Sequence, residues 1–261
     1  MAESWDNVGL LLGRREQTVS SVVVADDLTR ESLDLARTTG SQLIVVHHPP
    51  IFRPVKSIVS GARSALPTVL LEAIERKIAV FACHTNFDKG ATDVVQEISE
   101  ALGVKIGGRF VDSDERLIKS VVWTDPSGFA AGVGYGFFGR FSERTGLSLG
   151  RVRSRLGKVF RVSGMIQTGD IKAKVKSIGF LPGKASSFAN AVERSLVDVL
   201  VCGEMGYHPA LDLVRKGQVV LEIGHRQSER FFLSGMAEKL RKLGVKVVVD
   251  KTDVQALERV Q

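Results

Sequence analysis

Short runs of β-branched and apolar residues alternate along the chain with stretches whose apolar positions recur at helical spacing. The first two apolar runs are Val22–Ala25 and Leu43–Val46. The second run is apolar at every position, as expected of a strand buried on both faces. Between the two runs, Thr29 is placed to cap a helix that ends near Gly40. Alternation of strand and helix is typical of βαβ units, so the sequence predicts an α/β fold.

The same alternation predicts the remaining elements. Further strands are predicted at residues 78–82, 104–106, 175–180, 197–202, 219–223 and 245–249. Further helices are predicted at residues 67–77, 91–102, 186–195, 209–216 and 227–243, with a short one capped by Ser148. From Gly107 to about Gly169, glycines fall among aromatic residues, which predicts turns or close backbone approaches. This stretch lacks the Gly-Lys-Ser/Thr of a P-loop, so we do not interpret it as a phosphate loop.

The two stretches of alternation divide the chain. Residues 1–112 are predicted to form a first α/β half, and residues 113–261 a glycine-rich connection and a second α/β half. The expected fold class is α/β, with two similar layers of mixed sheets that face a shared metal cleft. In such folds ligands collect beyond the carboxyl ends of the strands.

Composition and charge narrow the class of protein. With 44% hydrophobic and 25% charged residues, the chain has the composition of a soluble globular protein. No apolar run reaches the roughly 18 residues of a membrane span, and the N-terminus has no signal pattern. The two cysteines, Cys83 and Cys202, lie far apart, which argues against a disulfide framework and fits a cytoplasmic protein. The net charge of +7 permits nucleic-acid binding, but the excess is spread along the chain, so this stays a lesser alternative.

Two adjacent histidines, His47 and His48, directly follow the buried run that ends at Val46. Successive residues of an extended chain point to opposite sides, so each imidazole would reach a different one of two close metal ions. The alternative is a pair of turn histidines at the end of a strand.

Two further clusters also follow predicted strands. Asp88 could bridge two cations, although the local pattern favours a cap for the helix that begins near Ala91. His225 and Glu229 are four residues apart, so on a helix they share a face and could chelate an ion, or merely form a surface hydrogen bond. Taken together, the clusters supply three imidazoles and two carboxylates. Two metals about 3.5 to 4 Å apart need a set of this kind, with open positions for water.

Five motifs in order along nearly the whole chain resemble the Ngg-interacting factor three family, also called GTP cyclohydrolase type-two-like or dinuclear metal-centre proteins. The motifs are Ser4–Gly13, His48–Phe52, His84–Asp88, Gly203–Met205 and Gly224–Glu229. The resemblance implies a pair of divalent metal ions, a toroidal homohexamer and a Nif-three-like fold. The implied metal ligands are His47, His48, Asp88, His225 and Glu229.

The resemblance also implies other residues of the same pocket. His84 and His208 become candidates for proton transfer, or for residues that orient a ligand, and Glu204 becomes a candidate for substrate binding. Tyr207 replaces the first of two histidines usual in the family, and the glycine stretch of the second half here reads Gly179–Lys184. The first motif begins at residue 4, so the helix usual before it is expected either to be absent or to have been lost from this sequence.

The function expected is a metal-dependent hydrolase of GTP cyclohydrolase type, or one that acts on a nucleotide or phosphoester. The alternative is a non-enzymatic metal-binding regulatory or scaffold protein. Imidazole and carboxylate ligands suit zinc, iron, manganese or nickel, so the sequence leaves the metal open. The expected partners are a small-molecule substrate and further copies of the chain, with no membrane.

Overall fold

The structure is a computed structural model. It describes residues 1–61, 65–110, 134–190 and 192–252. The described residues form two compact units. We call the first unit Ala2–Phe87 with the chain from Phe232 onward, and the second unit Met1 with Asp88–Phe231. The boundary predicted between residues 112 and 113 falls among residues 111–133, outside the described part of the chain, and stays a prediction.

Each unit is built around a β-sheet. The strands are β1 Gly9–Leu12, β2 Ser21–Ala25, β3 Leu43–Val46, β4 Ala79–Ala82, β5 Val104–Phe110, β6 Tyr135–Phe141, β7 Ile166–Thr168, β8 Ser177–Lys184, β9 Val199–Glu204, β10 Val219–Glu222 and β11 Lys246–Val249. The α-helices are α1 Arg30–Thr39, α2 Leu66–Glu75, α3 Thr85–Gly90, α4 Thr92–Ala101, α5 Leu149–Phe160, α6 Tyr207–Arg215, α7 His225–Glu229 and α8 Phe231–Arg241.

The sheet of the first unit has the strand order β1-β4-β3-β2-β11. Strand β1 is antiparallel to β4, and the other neighbours are parallel. The valines of β2 and β3 are almost fully buried, because helices cover this sheet with residues such as Leu33 and Leu70. Helix α1 begins where the sequence predicts it: Thr29 and Ser32 form a capping box, and Gly40 ends the helix with φ of 65°.

The sheet of the second unit has the order β5-β6-β8-β9-β10-β7 and is also mixed. Its strand β6 contains the glycine-rich segment, which the sequence assigned to turns or close backbone approaches. The close approach is confirmed, since a Cβ on Gly136 would lie 1.8 Å from the carbonyl oxygen of Phe180 on β8. A Cβ on Gly139 would likewise lie 2.2 Å from the carbonyl oxygen of Lys105 on β5. Glycine therefore lets β6 pair closely with both neighbours.

Two predicted helices are wrong in extent. The helix predicted at 186–195 is only a 3-10 turn, Ser186–Phe188. There the Ser186 hydroxyl accepts a hydrogen bond from the backbone of Gly206 at 2.9 Å, and serine side chains that bond backbone groups in this way compete with helix formation. The helix predicted at 227–243 begins earlier, at His225, and is divided into α7 and α8 at Arg230.

The sequence did not predict strands β1, β6 and β7 or the short helix α3. Strands β1 and β7 are short strands at the edges of their sheets, so their residues carry a weak periodic signal. None of the helices among the described residues is both long and apolar enough to cross a membrane.

Candidate metal centre

Three histidines of the first unit lie together at one end of its sheet. His47 and His48 follow β3, and His84 comes two residues after β4. Because β3 and β4 are parallel neighbours, their carboxyl ends meet at the same edge. One ring nitrogen of each histidine lies within 4.8 Å of the others, and the group could hold a metal ion. The sequence placed His84 in the same pocket but did not count it as a ligand.

The backbone at His47 and His48 differs from the prediction. We expected an extended chain that sends the two imidazoles to opposite sides. Instead the chain bends after β3, where the amides of both residues donate to the carbonyl oxygen of Asp26, at 3.1 and 2.9 Å. The two rings consequently lie with their centroids 4.9 Å apart and belong to one group.

The imidazole of His47 is held by the main chain. Its Nδ1 lies 2.9 Å from the carbonyl oxygen of Cys83, the residue after β4. A carbonyl oxygen can only accept, so Nδ1 carries the hydrogen and the neutral ring has its lone pair on Nε2. His47 is almost fully buried and packs against the ring of Phe232, at 4.5 Å between centroids. Its orientation is therefore fixed by both a hydrogen bond and packing.

The imidazole of His84 is held by a buried carboxylate. Its Nδ1 lies 2.9 Å from Oδ1 of Asp6, whose side chain is 0% exposed. The other oxygen of Asp6 accepts from the backbone of Thr85 at 3.1 Å and from its hydroxyl at 2.5 Å. Burial raises the pKa of Asp6, but the hydrogen bonds from Thr85 and His84 together lower it below its ordinary value. Burial also lowers the pKa of His84, so its ring is neutral near pH 7 and donates from Nδ1.

The imidazole of His48 is held by a more exposed carboxylate. Its Nδ1 lies 3.1 Å from Oδ1 of Asp27. Thus each of the three rings has Nδ1 against an oxygen acceptor. Histidines that bind metals have this arrangement, because the hydrogen bond fixes the tautomer and leaves Nε2 for the ion. The donor set therefore fits a divalent transition metal.

A second group of predicted ligands lies in the second unit. His225 and Glu229 share a face of α7, as the sequence predicts, with His225 Nε2 3.3 Å from Glu229 Oε1. Glu204, at the end of β9, lies with Oε1 3.6 Å from His225 Nδ1. The Glu229 side chain is only 7% exposed, while those of His225 and Glu204 are partly exposed. A buried carboxylate next to an imidazole is suited to share a cation with it.

Glycines and a serine place α7 against β8 and β9. Gly183 on β8 has φ of +61°, and a Cβ there would lie 2.3 Å from Glu229 Oε1. A Cβ on Gly203 would lie 2.6 Å from the Ser228 hydroxyl. That hydroxyl accepts from the amide of Gly183 at 2.9 Å and donates to the carbonyl oxygen of His225 at 2.6 Å. The side chains of α7 can lie this close to the sheet only because both strands carry glycine there.

Asp88 lies within the short helix α3, and its role as a helix cap is wrong. Helix α4 has Ala91 at its N-cap, with no side-chain hydrogen bond. The carbonyl oxygen of Asp88 instead accepts from Nη2 of Arg109 at 2.9 Å, and Nε of the same guanidinium donates to the carbonyl oxygen of Gly136 at 2.9 Å. Burial lowers the pKa of Arg109 to about 10, against the opposing effect of the Asp88 charge. Arg109 therefore fixes the backbone from which the Asp88 carboxylate extends.

His208 is exposed on α6. Its ring packs edge-on against that of Tyr207, with centroids 5.2 Å apart. The resemblance implied that His208 lines the same pocket as His84 and Glu204, and this stays a prediction.

Sequence reasoning missed the residues that support these side chains. Asp6 belongs to the Trp-Asp-Asn segment of the first motif, and that motif was the signal that could have identified it. Asp27 and Arg109 stand in no motif, so only the structure connects them with His48 and Asp88. Histidine and glutamate side chains that could bind metal ions are thus present, each supported by its own unit.

Comparison with known proteins places the chain among relatives. A family model described as Duf34/NIF3 (NGG1p interacting factor 3) matches residues 1–255. A Clostridium perfringens protein named GTP cyclohydrolase 1 type 2 homolog is 28% identical over 93% of this chain and 86% of its own length. NIF3-like protein 1 of Drosophila melanogaster is 29% identical over 92% of this chain and 76% of its own length.

Solved structures share the fold. A hypothetical protein of Staphylococcus aureus superposes with a TM-score of 0.81, at 21% identity, over 99% of this chain and 93% of that one. A Bacillus cereus protein related to NIF3 superposes with a TM-score of 0.77, at 20% identity, over 97% of this chain and 93% of that one. The predicted α/β class with two mixed sheets is confirmed.

Proposed function

We propose, from the premise that the chain belongs to the Duf34/NIF3 (NGG1p interacting factor 3) family, that it is a metal-dependent hydrolase. The substrate class that we propose is a nucleotide or another phosphoester, with ring opening of GTP as one form of the reaction. The name of the Clostridium perfringens relative, GTP cyclohydrolase 1 type 2 homolog, supports this choice.

The observation that carries the proposal is the support of the three imidazoles of the first unit. His47, His48 and His84 each have Nδ1 against an oxygen acceptor, and one nitrogen of each lies within 4.8 Å of the others. Structural histidines need only one satisfied hydrogen bond, and nothing in packing requires three of them to converge. Convergence of three supported rings is the arrangement of a ligand set.

We further propose that the chain binds two divalent ions, through the five residues predicted from the sequence. Those residues are His47, His48, Asp88, His225 and Glu229. Bound ions of this kind lower the pKa of coordinated water toward neutrality and stabilise developing negative charge. Zinc, iron, manganese and nickel all fit a mixture of imidazole and carboxylate ligands.

The protein's own residues would bind and orient the substrate. Glu204 is the residue that we propose for substrate binding, since its partly exposed carboxylate can accept hydrogen bonds from N–H groups of a purine. The proton-transfer roles predicted for His84 and His208 stay predictions. Of the two, His208 is exposed on α6 and free to meet a ligand from solvent.

Metal analysis combined with an activity screen tests the proposal. We expect purified protein to carry close to two metal ions per chain, and His47→Ala and Glu229→Ala each to lower that content without unfolding. The variant His208→Ala is the matched control for metal content, because it removes an imidazole outside the proposed ligand set. The screen should follow GTP ring opening and release of phosphate from nucleotides, with several divalent ions.

Asp88→Asn separates binding from catalysis. If Asp88 bridges the ions, this change should cost far more rate than stability, since α4 does not depend on it for capping. If Asp88→Asn keeps wild-type metal content and activity, Asp88 does not bridge the ions. A fully metal-loaded wild type that turns over none of the substrates would replace the hydrolase with a metal-binding scaffold.

We also propose a cytoplasmic location and a homohexameric assembly. Both cysteines are free, and burial raises the pKa of Cys83 to about 11 and that of Cys202 even further, as suits thiols of a reducing compartment.

A hexamer follows from the family resemblance, because heterologous interfaces can close into rings. Light scattering at micromolar concentration tests it: six chains of 28.4 kDa give about 170 kDa, and a monomer would contradict it.

A further inference from the structure

We propose that His84 is a metal ligand, and that Asp6 is the positioning residue that holds it in the ligating tautomer. This inference rests on the metal dependence proposed above and deepens it. It adds a sixth side chain to the five predicted ligands, and it gives His84 a role other than proton transfer. It also gives the Trp-Asp-Asn segment, which the resemblance singled out but left without a task, a chemical reason.

The positions of the three rings suit a single ion. The His84 ring centroid lies 5.3 Å from that of His47 and 5.7 Å from that of His48. The ring nitrogens lie within 4.8 Å of one another, whereas tetrahedral ligands with metal–nitrogen bonds of about 2.0–2.1 Å lie roughly 3.4 Å apart. Binding of one ion by all three rings therefore needs nitrogens that lie about 3.4 Å apart. Three protein nitrogens with a fourth position open is the pattern of a catalytic zinc site.

The type of ion follows from the donors. All three ligands are imidazole nitrogens, which favour zinc, cobalt, nickel or iron over magnesium and calcium. His84 contributes to this preference because its Nδ1 faces the Asp6 carboxylate, which leaves Nε2 for the ion.

The surroundings of Asp6 explain why the residue is an aspartate. Its fully buried carboxylate faces three donors: the Nδ1–H of His84, and the amide and hydroxyl of Thr85. A carboxylate only accepts, so it satisfies all three at once. The amide of Thr85 is part of the backbone and cannot reverse its role. Asp6 is thus fixed by Thr85 on one oxygen and fixes His84 with the other.

An asparagine at this position would reverse the tautomer of His84. Its single carbonyl oxygen would have to face the Thr85 amide, so its NH2 group would face Nδ1. Nδ1 would then accept instead of donate, and the hydrogen would move to Nε2. A protonated Nε2 cannot bind a metal, so the change should abolish ligation although the ring keeps its place.

Cobalt binding measures the proposal directly, with no need for turnover. The affinity for Co²⁺ is measured by competition with a chromophoric chelator, and the visible absorption of Co²⁺ reports its nitrogen ligands. Loss of residues that orient ligands typically costs about 10–100-fold in metal affinity. We expect His84→Ala and Asp6→Asn each to weaken Co²⁺ binding at least about tenfold and to change its visible spectrum. In metal-free protein, ¹⁵N NMR should show the His84 hydrogen on Nδ1 in the wild type and on Nε2 in Asp6→Asn.

Two controls separate positioning from folding. Thr85→Val removes the hydroxyl that donates to Asp6 but keeps the backbone amide that also donates to it, so it should lower stability and weaken Co²⁺ binding less than Asp6→Asn does. His208→Ala removes an exposed imidazole and should leave both the affinity and the spectrum unchanged.

The outcomes distinguish this inference from the function on which it rests. If wild-type protein binds no Co²⁺, the proposed metal dependence fails. If His47→Ala loses Co²⁺ but His84→Ala keeps wild-type affinity and spectrum, only the ligand role of His84 is overturned. If Asp6→Asn does not fold, the His84→Ala result and the wild-type ¹⁵N spectrum still decide, because a wild-type hydrogen on Nε2 would also overturn the proposal.

Discussion

At the scale of single residues, the candidate site depends on positions that have no Cβ atom. Gly183 has no Cβ where one would lie 2.3 Å from the Glu229 carboxylate, and its φ of +61° is one that other residues rarely adopt. The buried carboxylate can therefore rest directly on strand β8. By contrast, Gly150 is exposed in α5, and a Cβ there would meet only open space.

Gly183→Ala should therefore destabilise the protein by more than about 1 kcal/mol, because it adds both backbone strain and a clash. It should also lower metal occupancy, since Glu229 must move. Gly150→Ala is the matched control and should stabilise by about 0.5–1 kcal/mol, because alanine is the better helix former. Urea denaturation of both variants checks the signs, and a neutral Gly183→Ala would contradict the close packing.

Asp198 shows how a single carboxylate makes stability depend on pH. Burial raises its pKa, but the amides of Lys176 and Ser177 and the side chain of Arg194 outweigh this and lower it below the ordinary value of 3.8. A lowered pKa means that the ionised form stabilises the fold above the ordinary value. That contribution is lost as the pH falls through the lower, folded-state pKa.

We therefore expect the free energy of unfolding of Asp198→Asn to fall less steeply than that of the wild type below about pH 4. Denaturation at a series of pH values measures both slopes. Asp212→Asn, which changes an exposed carboxylate on α6, serves as the control and should keep the wild-type slope.

At the scale of elements, the structure follows the sequence where the signals are local. Helix α1 has a cap at Thr29 and a left-handed glycine at its end, and both can be read directly from the chain. Helices α7 and α8 were merged in the prediction, because the break at Arg230 has neither glycine nor proline. The glycines of β6 were noticed, but their pairing with β5 and β8 depends on partners far along the chain.

Thr29→Ala should cost about 1 kcal/mol, because it removes one half of the capping box of α1. Thr38→Ala removes a threonine from the same helix, where its exposed hydroxyl bonds only to preceding carbonyl groups of α1 in the described contacts. It should change stability by less than half as much. Thermal unfolding measures both losses of stability. Equal losses in the two variants would contradict a stabilising cap at Thr29.

The candidate site was predictable in part for the same reason. His47 and His48 stand at the end of an obvious strand, and His225 and Glu229 have helical spacing, so the sequence alone identified them. Asp6 and His84 are 78 residues apart, and no local pattern connects them. The antiparallel pairing of β1 with β4, in which Gly9 lies opposite Ala82, brings the two residues to the same end of the sheet.

At the scale of the whole molecule, metal binding and folding are linked. The histidines of the first unit are held in place before any ion arrives, so binding selects the folded chain. We expect Zn²⁺ or Co²⁺ at about 100 times its dissociation constant to stabilise the protein by roughly 2.7 kcal/mol. Calorimetry with and without the ion measures the shift, and excess chelator should reverse it. A melting temperature that ignores the ion would argue against specific binding.

The sheet of the first unit is completed by a strand from the far end of the chain. Strand β11 pairs in parallel with β2, from Lys246 with Ser21 to Val249 with Val24. On the ribosome, β2 emerges long before its partner, and the whole second unit is synthesised in between. At translation rates of about 5–20 residues per second, this delay is on the order of ten seconds. During that time β2 lies at an unpaired edge of the sheet, where strands of neighbouring chains can pair with it. The nascent chain is therefore most exposed to misassembly in the interval before β11 is made.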